Sequence, residues 1–193
     1  MPKDLEIRIG LILILLALLG WGFFLYQDQT TVPHSNEVHV HADWLMVIND
    51  QPVDLTGDTY QSFSGDVKMA DFHLHDNEDN VLHRHDDGLT LGMFLESIGF
   101  SLTNTCLTTD TNETFCEDTD HALALYVNGV RKKSPPNYVI EEEDQVLLYY
   151  GARDQALVDK YLGQITDESC VYSGTCPERG IAPPETCGLT CEI

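Results

Sequence analysis

The segment Phe72–Asp87 reads Phe-His-Leu-His-Asp-Asn-Glu-Asp-Asn-Val-Leu-His-Arg-His-Asp-Asp. It holds two His-x-His pairs, His73 with His75 and His83 with His85, on either side of an acidic loop. Successive side chains of a strand point to opposite faces of the sheet, so the two histidines of each pair share a face. The spacing therefore predicts a hairpin that gathers imidazoles on one side.

The register of this hairpin decides whether the imidazoles meet. If the chain turns at residues 78–80, one register sets His75 opposite His83. The same register sets His73 opposite His85. Directly opposed Cβ atoms lie roughly 4.5–5.5 Å apart, close enough for several imidazoles to share one metal ion. A slip of one residue would turn one strand's histidines to the other face, so this register is an assumption.

A third His-x-His pair precedes the hairpin, so six of the eight histidines fall in such pairs. We expect one Zn(II) or Cu(II) site, with the third pair completing it or forming a second site, from the ligands His73, His75, His83, His85, His39 and His41. Asp76 and Asp86 are expected to accept the second ring N–H of a ligand and fix its tautomer. Leu74, between two of the histidines, is expected to face a core.

Charge excludes one large class of partner. The chain has 193 residues and a formal charge of −22, from 10 Lys and Arg against 32 Asp and Glu. Such a chain repels nucleic acids and anionic membrane surfaces, so we expect no nucleic-acid partner. Two explanations of the acidity are open. One is a solvated surface suited to a salty medium, and the other is binding of divalent cations by carboxylates.

Residues 9–26 form an almost purely apolar run, long enough to cross a hydrocarbon core about 30 Å thick. Lys3 and Arg8 precede the run, and the next basic residue is Lys68. The positive-inside rule therefore predicts a single membrane anchor, with residues 1–8 in the cytoplasm and the rest outside, in the periplasm or at the cell surface. A cleaved signal peptide is the alternative, although no clear Ala-x-Ala site follows the run.

Beyond the anchor we expect a polar linker at 27–38, an α+β domain at 39–151 and a tail at 152–193. The patterns predict, in chain order, a strand at 40–48, a strand at 53–55, the His hairpin, a helix opened by Thr90 and closed by Gly99, a strand at 123–127 with an Asn128-Gly129 turn, and a buried strand at 145–150. Asp154 is expected to cap a short helix at the start of a Cys-rich tail.

All six cysteines lie on the predicted outer side, where an even number indicates disulfides: Cys106, Cys116, Cys170, Cys176, Cys187 and Cys191. Proximity favours a Cys106–Cys116 bridge across a loop, with the other four pairing among themselves. A zinc site in the tail is the alternative, but its spacings do not match the usual zinc knuckles.

The order of elements resembles a β-grasp (ubiquitin-like) fold, in which a mixed sheet packs on one helix. The stretches Leu125–Gly129 and Ile140–Gly151 are similar to the closing strands of small sulfur-carrier domains. Such carriers need a free Gly-Gly terminus. Because the chain continues past Gly151, carrier chemistry is excluded.

Residues 39–151 also resemble membrane-anchored outer domains of bacteria and archaea that have no established activity. The resemblance depends on His39 and His41, His73-x-His75-Asp76, Leu82-His83, Thr90-Leu91-Gly92-x-Phe94 and Tyr126-Val127-Asn128-Gly129. It implies the fold and the outer location, and it implies no reaction.

The sequence thus predicts a membrane-anchored metal-binding protein that buffers, senses or delivers Zn(II) or Cu(II). A surface interaction module without a metal is the alternative, and a metal-dependent hydrolase is the third possibility. No catalytic residue is predicted, because no Gly-x-Ser-x-Gly motif occurs and each cysteine has a role in a disulfide. The sequence identifies no protein partner.

Overall fold

The computed structural model describes residues 38–62, 71–74 and 76–182. The expected anchor at 9–26 lies outside these ranges, as do His75, Cys187 and Cys191. Within these ranges, no helix is both long enough and apolar enough to cross a membrane.

The described residues form a mixed α+β structure. Its strands are β1 (Val40–Ile48), β2 (Gln51–Pro52), β3 (Phe72–His73), β4 (Val81–Arg84), β5 (Ser101–Leu102), β6 (Cys106–Thr108), β7 (Thr114–Cys116), β8 (His121–Val127), β9 (Val130–Lys132) and β10 (Gln145–Ala152). The helices are α1 (Leu91–Ser97), α2 (Gln155–Leu162) and α3 (Ser169–Tyr172), with 3-10 turns at Pro135–Asn137 and Pro177–Arg179.

The main sheet has the order β3-β4-β1-β10-β8-β9, with β2 paired to the end of β1. Strands β1 and β10 run parallel, and the remaining pairs are antiparallel. Strands β5, β6 and β7 form a separate small sheet. The first and last long strands therefore lie side by side near the middle of the main sheet.

Strand β1 is covered on both faces, as the apolar run of its second half, Trp44–Ile48, predicts. Ala42, Trp44 and Met46 point into the larger core, where they are at most 2% exposed. Helix α1 packs in that core through residues such as Phe94, whose ring lies edge-on to Trp44 at 5.5 Å. Leu74 is fully buried in the same core, which confirms its predicted direction.

Helix α1 begins and ends where the sequence predicts. The Thr90 side chain accepts a hydrogen bond from the Met93 N–H, and Gly99 has a φ of 89°. Asp154 caps α2 by accepting from the Ala156 N–H. The structure thus confirms these signals. The sequence could predict them because each depends on a few consecutive residues.

Helix α2 covers part of the opposite face of the sheet. There Val47 and Leu147 pack with Tyr149, Val158 and Tyr161 in a second, smaller core. The odd-numbered residues of β1 face this side. His41 and Asp43, buried on that strand, therefore lie on the α2 side of the sheet.

Two local predictions are wrong. Residues 53–55 do not form a strand: the ladder with β1 ends at Pro52, beyond which the Val53 N–H makes one more hydrogen bond, to the Met46 carbonyl at 2.9 Å. The segment 106–116 is a hairpin of β6 and β7 rather than a loop. Its three cross-strand pairs place Cys106 opposite Cys116.

Candidate metal centre

One histidine of each His-x-His pair lies on one of three adjacent strands: His41 on β1, His73 on β3 and His83 on β4. In the ladder of β3 with β4, His73 is opposite His83, and in the ladder of β4 with β1, His83 is opposite His41. A row of three imidazoles therefore crosses the sheet on the α2 side. His39 and His85 continue the β1–β4 register by one further pair.

The expected hairpin register is wrong by two residues. We expected His73 opposite His85, whereas His83 takes that place. Strand β4 also pairs with β1, and the backbone N–H of Trp44 donates to the Asn80 carbonyl at 2.8 Å. The position of β4 is therefore set by β1 on one side and by β3 on the other. A shift of two residues preserves the face to which each side chain points, so the histidines still share one face.

The imidazole rings of five histidines contact one another. The His39 ring centroid is 4.5 Å from that of His41 and 4.6 Å from that of His85. The His41 and His83 centroids are 4.8 Å apart. The His73 ring stacks 5.1 Å from His85 and 6.0 Å from His83. We call these five residues the histidine cluster.

The cluster runs from the interior to the surface. His41, His73 and His83 are at most 2% exposed, His85 is half-buried and His39 is exposed. Neutral imidazole is the form that binds metal ions.

One ring nitrogen of His41 already has a partner. Its Nδ1 lies 3.1 Å from the Ser173 hydroxyl oxygen and 4.0 Å from a Glu142 carboxylate oxygen. The other Glu142 oxygen accepts the His41 backbone N–H at 3.1 Å. In many metal-bound histidines one ring N–H donates to such a neighbouring group while the other ring nitrogen binds the metal.

The tail closes over the buried end of the cluster. The Tyr172 ring lies 5.7 Å from the His41 ring and stands perpendicular to the His83 ring at 5.1 Å. Tyr172 ends α3, and Ser173 follows it directly. The wall of the site therefore comes from a segment about 130 residues away from β1 in sequence.

Asp43 holds this segment in place. One carboxylate oxygen accepts from the Thr166 hydroxyl at 2.5 Å and the Glu168 N–H at 2.7 Å. The other accepts from the Ser169 hydroxyl at 2.5 Å and the Ser169 N–H at 3.1 Å. Asp43 is 1% exposed, so these bonds replace the hydration of a buried carboxylate.

The spacing of the rings matches the requirement of a shared ion. An imidazole nitrogen about 2.0–2.1 Å from Zn(II) puts its ring centroid roughly 3 Å from the metal. Two ligands at the tetrahedral angle then have centroids roughly 5 Å apart. The five centroid distances within the cluster lie between 4.5 and 6.0 Å.

The orientation of the rings does not match the geometry of a shared metal ion. The His73 and His83 rings are parallel to within 6°, so their in-plane lone pairs cannot meet at a point between them. Accordingly, the described part of the chain holds no group of three or more His, Cys, Asp or Glu side chains that converges on a metal position. Binding an ion here requires some rings to turn about their side-chain bonds.

The two aspartates expected beside the ligands differ in position. Asp86 is exposed, and one of its carboxylate oxygens accepts the Asp87 N–H at 2.7 Å. Asp76 lies in the β3–β4 connection with a φ of 61°. Glu142, which the sequence did not indicate, places a carboxylate beside the ring of His41.

His121 lies apart from the cluster, at the start of β8. Its ring stacks 5.6 Å from Tyr150, and its Nδ1 lies 3.1 Å from an Asp118 oxygen. The pKa of Asp118 is lowered mainly by the backbone N–H groups of His121 and Asp120, which donate to its carboxylate. His121 therefore serves as a matched control in experiments on the cluster.

Two disulfides are present in the described residues. Cys106 is bonded to Cys116, which confirms the expected bridge, and Cys170 is bonded to Cys176. The second bond excludes a zinc site that uses all four tail cysteines. It also closes the loop that carries Tyr172 and Ser173.

Sequence reasoning missed the tail residues of the site and Asp43, which anchors them. No periodicity or motif links residues 166–173 to β1. The Cys170 and Cys176 pair was the one available signal, and it indicates a closed loop without indicating what the loop covers.

No protein-family model matches the chain, and no curated protein or solved structure shows significant similarity to it.

Proposed function

We propose that this chain is a membrane-anchored, extracytoplasmic metal-binding protein that holds Zn(II) or Cu(II) at the histidine cluster. The observation that carries the proposal is the grouping of the five histidines of the cluster on one face of β3, β4 and β1, with ring centroids 4.5–6.0 Å apart. Histidines scattered over a surface would not show this spacing. Buffering, sensing and delivery of the metal all fit such a site.

The ligand chemistry narrows the choice of metal. Imidazole suits Zn(II), Cu(II) and Ni(II), whereas Cu(I) prefers sulfur ligands. Cys106, Cys116, Cys170 and Cys176 are all in disulfides. Met46 points into the core on the other face of the sheet. The described surroundings of the cluster therefore favour the divalent ions.

The charge of the chain favours a cation. A net charge of −22 raises the local concentration of divalent ions by long-range attraction. Glu142 lies 4.0 Å from His41 Nδ1 and is half exposed, so it lowers the cost of placing a positive ion beside this end of the cluster.

We also propose that the fold is β-grasp-like. The parallel pair β1–β10, the antiparallel neighbour β4 and the β8–β9 hairpin support this assignment, with α1 on one face. The anchor at 9–26 and the outer location are part of the same proposal.

The test is metal binding by the full-length protein, purified without a His tag. We expect uptake of Zn(II) or Cu(II) at micromolar concentration near pH 7.5, measured by titration calorimetry and elemental analysis. Binding should raise the free energy of unfolding by about 2.7 kcal/mol when the free metal is at 100 times its Kd.

The central residue for a variant is His83, which contacts both His41 and His73. His83→Gln should weaken binding at least roughly tenfold, since it removes one ligand and leaves a polar side chain. The matched variant His121→Gln should bind like the wild type. If the wild-type protein takes up none of these ions, the proposal is wrong and the interaction module without metal replaces it.

A further inference from the structure

The loop between Cys170 and Cys176 lies directly on the buried end of the histidine cluster. Tyr172 contacts the rings of His41 and His83, and the Ser173 hydroxyl lies 3.1 Å from His41 Nδ1. Both histidines are 1% exposed. An ion or reagent that reaches them from this side must displace the loop.

The loop is held at two places of different kinds. Before the loop, Asp43 accepts four hydrogen bonds from residues 166–169. At its end, the Cys170–Cys176 disulfide closes a separation of six residues. The Thr175 hydroxyl also donates to the Glu143 carboxylate at the surface. Asp43 therefore anchors the segment, and the disulfide closes the part that covers the histidines.

We propose that the Cys170–Cys176 disulfide controls access to the histidine cluster, so that reducing it opens the cover formed by Tyr172 and Ser173. The part of this inference that concerns metal exchange rests on the proposed function, whereas access to the histidines does not. Helix α3 has four residues, too few to hold its shape without tertiary contacts. Once the bond is broken, no covalent link closes the loop, and it is held by backbone hydrogen bonds from Ser173, Thr175 and Cys176 to residues 169 and 170 and by the contacts of its own side chains with the histidines.

A dithiol reduces the Cys170–Cys176 bond in two thiol–disulfide exchange steps. A thiolate of the dithiol attacks Cys176 Sγ, the S–S bond breaks, and the Cys170 thiolate leaves. The second thiol of the dithiol then attacks the mixed disulfide and releases Cys176. Two electrons and two protons pass to the protein, giving two thiols, and the dithiol becomes a disulfide.

Arg179 assists the first step. Its guanidinium Nη1 lies 3.4 Å from Cys170 Sγ, so its positive charge stabilises the departing thiolate. Its Nη1 also pairs with the Asp167 carboxylate at 3.1 Å, which keeps it beside the sulfur.

The first test measures access to the histidines without any metal. Full-length protein is treated with diethyl pyrocarbonate, and modification of each histidine is followed by peptide mass mapping. We expect the reagent to modify His41 at least roughly tenfold faster in the Cys170→Ser/Cys176→Ser variant than in the oxidised wild type. Modification of His121 should stay unchanged.

The matched control is Cys106→Ser/Cys116→Ser, which removes the other disulfide. It should leave the His41 rate as in the wild type. Tyr172→Ala, with the disulfide intact, should also accelerate His41 modification, and far-UV circular dichroism checks that each variant retains its sheet. Equal His41 rates in the wild type and in both tail variants would overturn the inference.

The second test measures metal exchange. Protein loaded with zinc is mixed with an excess of a chromogenic chelator, with and without prior reduction by dithiothreitol. Reduction should accelerate zinc release from the wild type and from the Cys106→Ser/Cys116→Ser control. The Cys170→Ser/Cys176→Ser variant has no tail disulfide, so it should release zinc at the same rate with and without reduction.

The two proposals fail separately. If the wild type takes up no zinc but its His41 modification depends on the tail disulfide, the cover stands and the metal function is refuted. If zinc binds and neither rate responds to the tail disulfide, the metal function stands and the cover is refuted.

Discussion

Replacing Asp43 by Asn tests how strongly the tail is docked on the sheet. Each oxygen of the Asp43 carboxylate accepts from one backbone N–H and one hydroxyl, at 2.5–3.1 Å. In Asp43→Asn, one oxygen becomes an NH2 group. A hydroxyl can rotate to accept from this group, but a backbone N–H cannot. Either orientation of the amide therefore leaves the N–H of Glu168 or of Ser169 without its acceptor.

The magnitude follows from these bonds. A hydrogen bond to a charged group contributes about 1.5–3 kcal/mol, and leaving its buried donor unsatisfied costs about 1–3 kcal/mol. The two costs overlap because they concern the same N–H. We therefore expect Asp43→Asn to lower the free energy of unfolding by about 3 kcal/mol, a large share of the stability of an ordinary domain.

Urea unfolding of the full-length protein, followed by circular dichroism, measures this loss. Hydrogen exchange at the Glu168 and Ser169 amides should accelerate roughly a hundredfold, which distinguishes undocking of the tail from global unfolding. Asp159→Asn removes the same charge from an exposed position and should change the stability by less than about 0.5 kcal/mol. A loss below about 1 kcal/mol for Asp43→Asn, with unchanged exchange, would refute the reasoning.

Three further predictions concern other parts of the chain. A Cβ at Gly151 would overlap the Asp50 carboxylate and lie 2.6 Å from the Tyr149 hydroxyl, so Gly151→Ala should destabilise the protein by about 1–3 kcal/mol. An unchanged melting temperature in that variant would contradict this packing. Because the net charge is −22, raising the ionic strength from low to physiological should raise the melting temperature, and an indifferent Tm would mean that the charges are well dispersed or paired. If residues 9–26 anchor the chain, it should stay in the membrane fraction after an alkaline carbonate wash, and recovery as a soluble protein shortened at its N-terminus would argue for a cleaved signal peptide.

The sequence by itself determined the elements whose causes are local. The strand Val40–Ile48 has the predicted bounds, because the apolar run Trp44–Ile48 before an Asn-Asp turn has few other solutions. The cap at Thr90 and the Asn128-Gly129 turn are likewise as predicted, with φ values of 51° and 75° at the turn. The period of two also predicted that the described histidines of these pairs share one face, whatever the register.

Only the tertiary structure decided what lies opposite those histidines. The His73–His83 pairing depends on β4 being held by β1 as well as by β3, and a hairpin considered alone does not contain that constraint. The cover of the cluster depends on hydrogen bonds from Thr166, Glu168 and Ser169 to Asp43. These residues follow Asp43 in the sequence by 123 to 126 positions. Contacts over such separations leave no periodic trace in the sequence, because the residues that meet are chosen by the path of the whole chain.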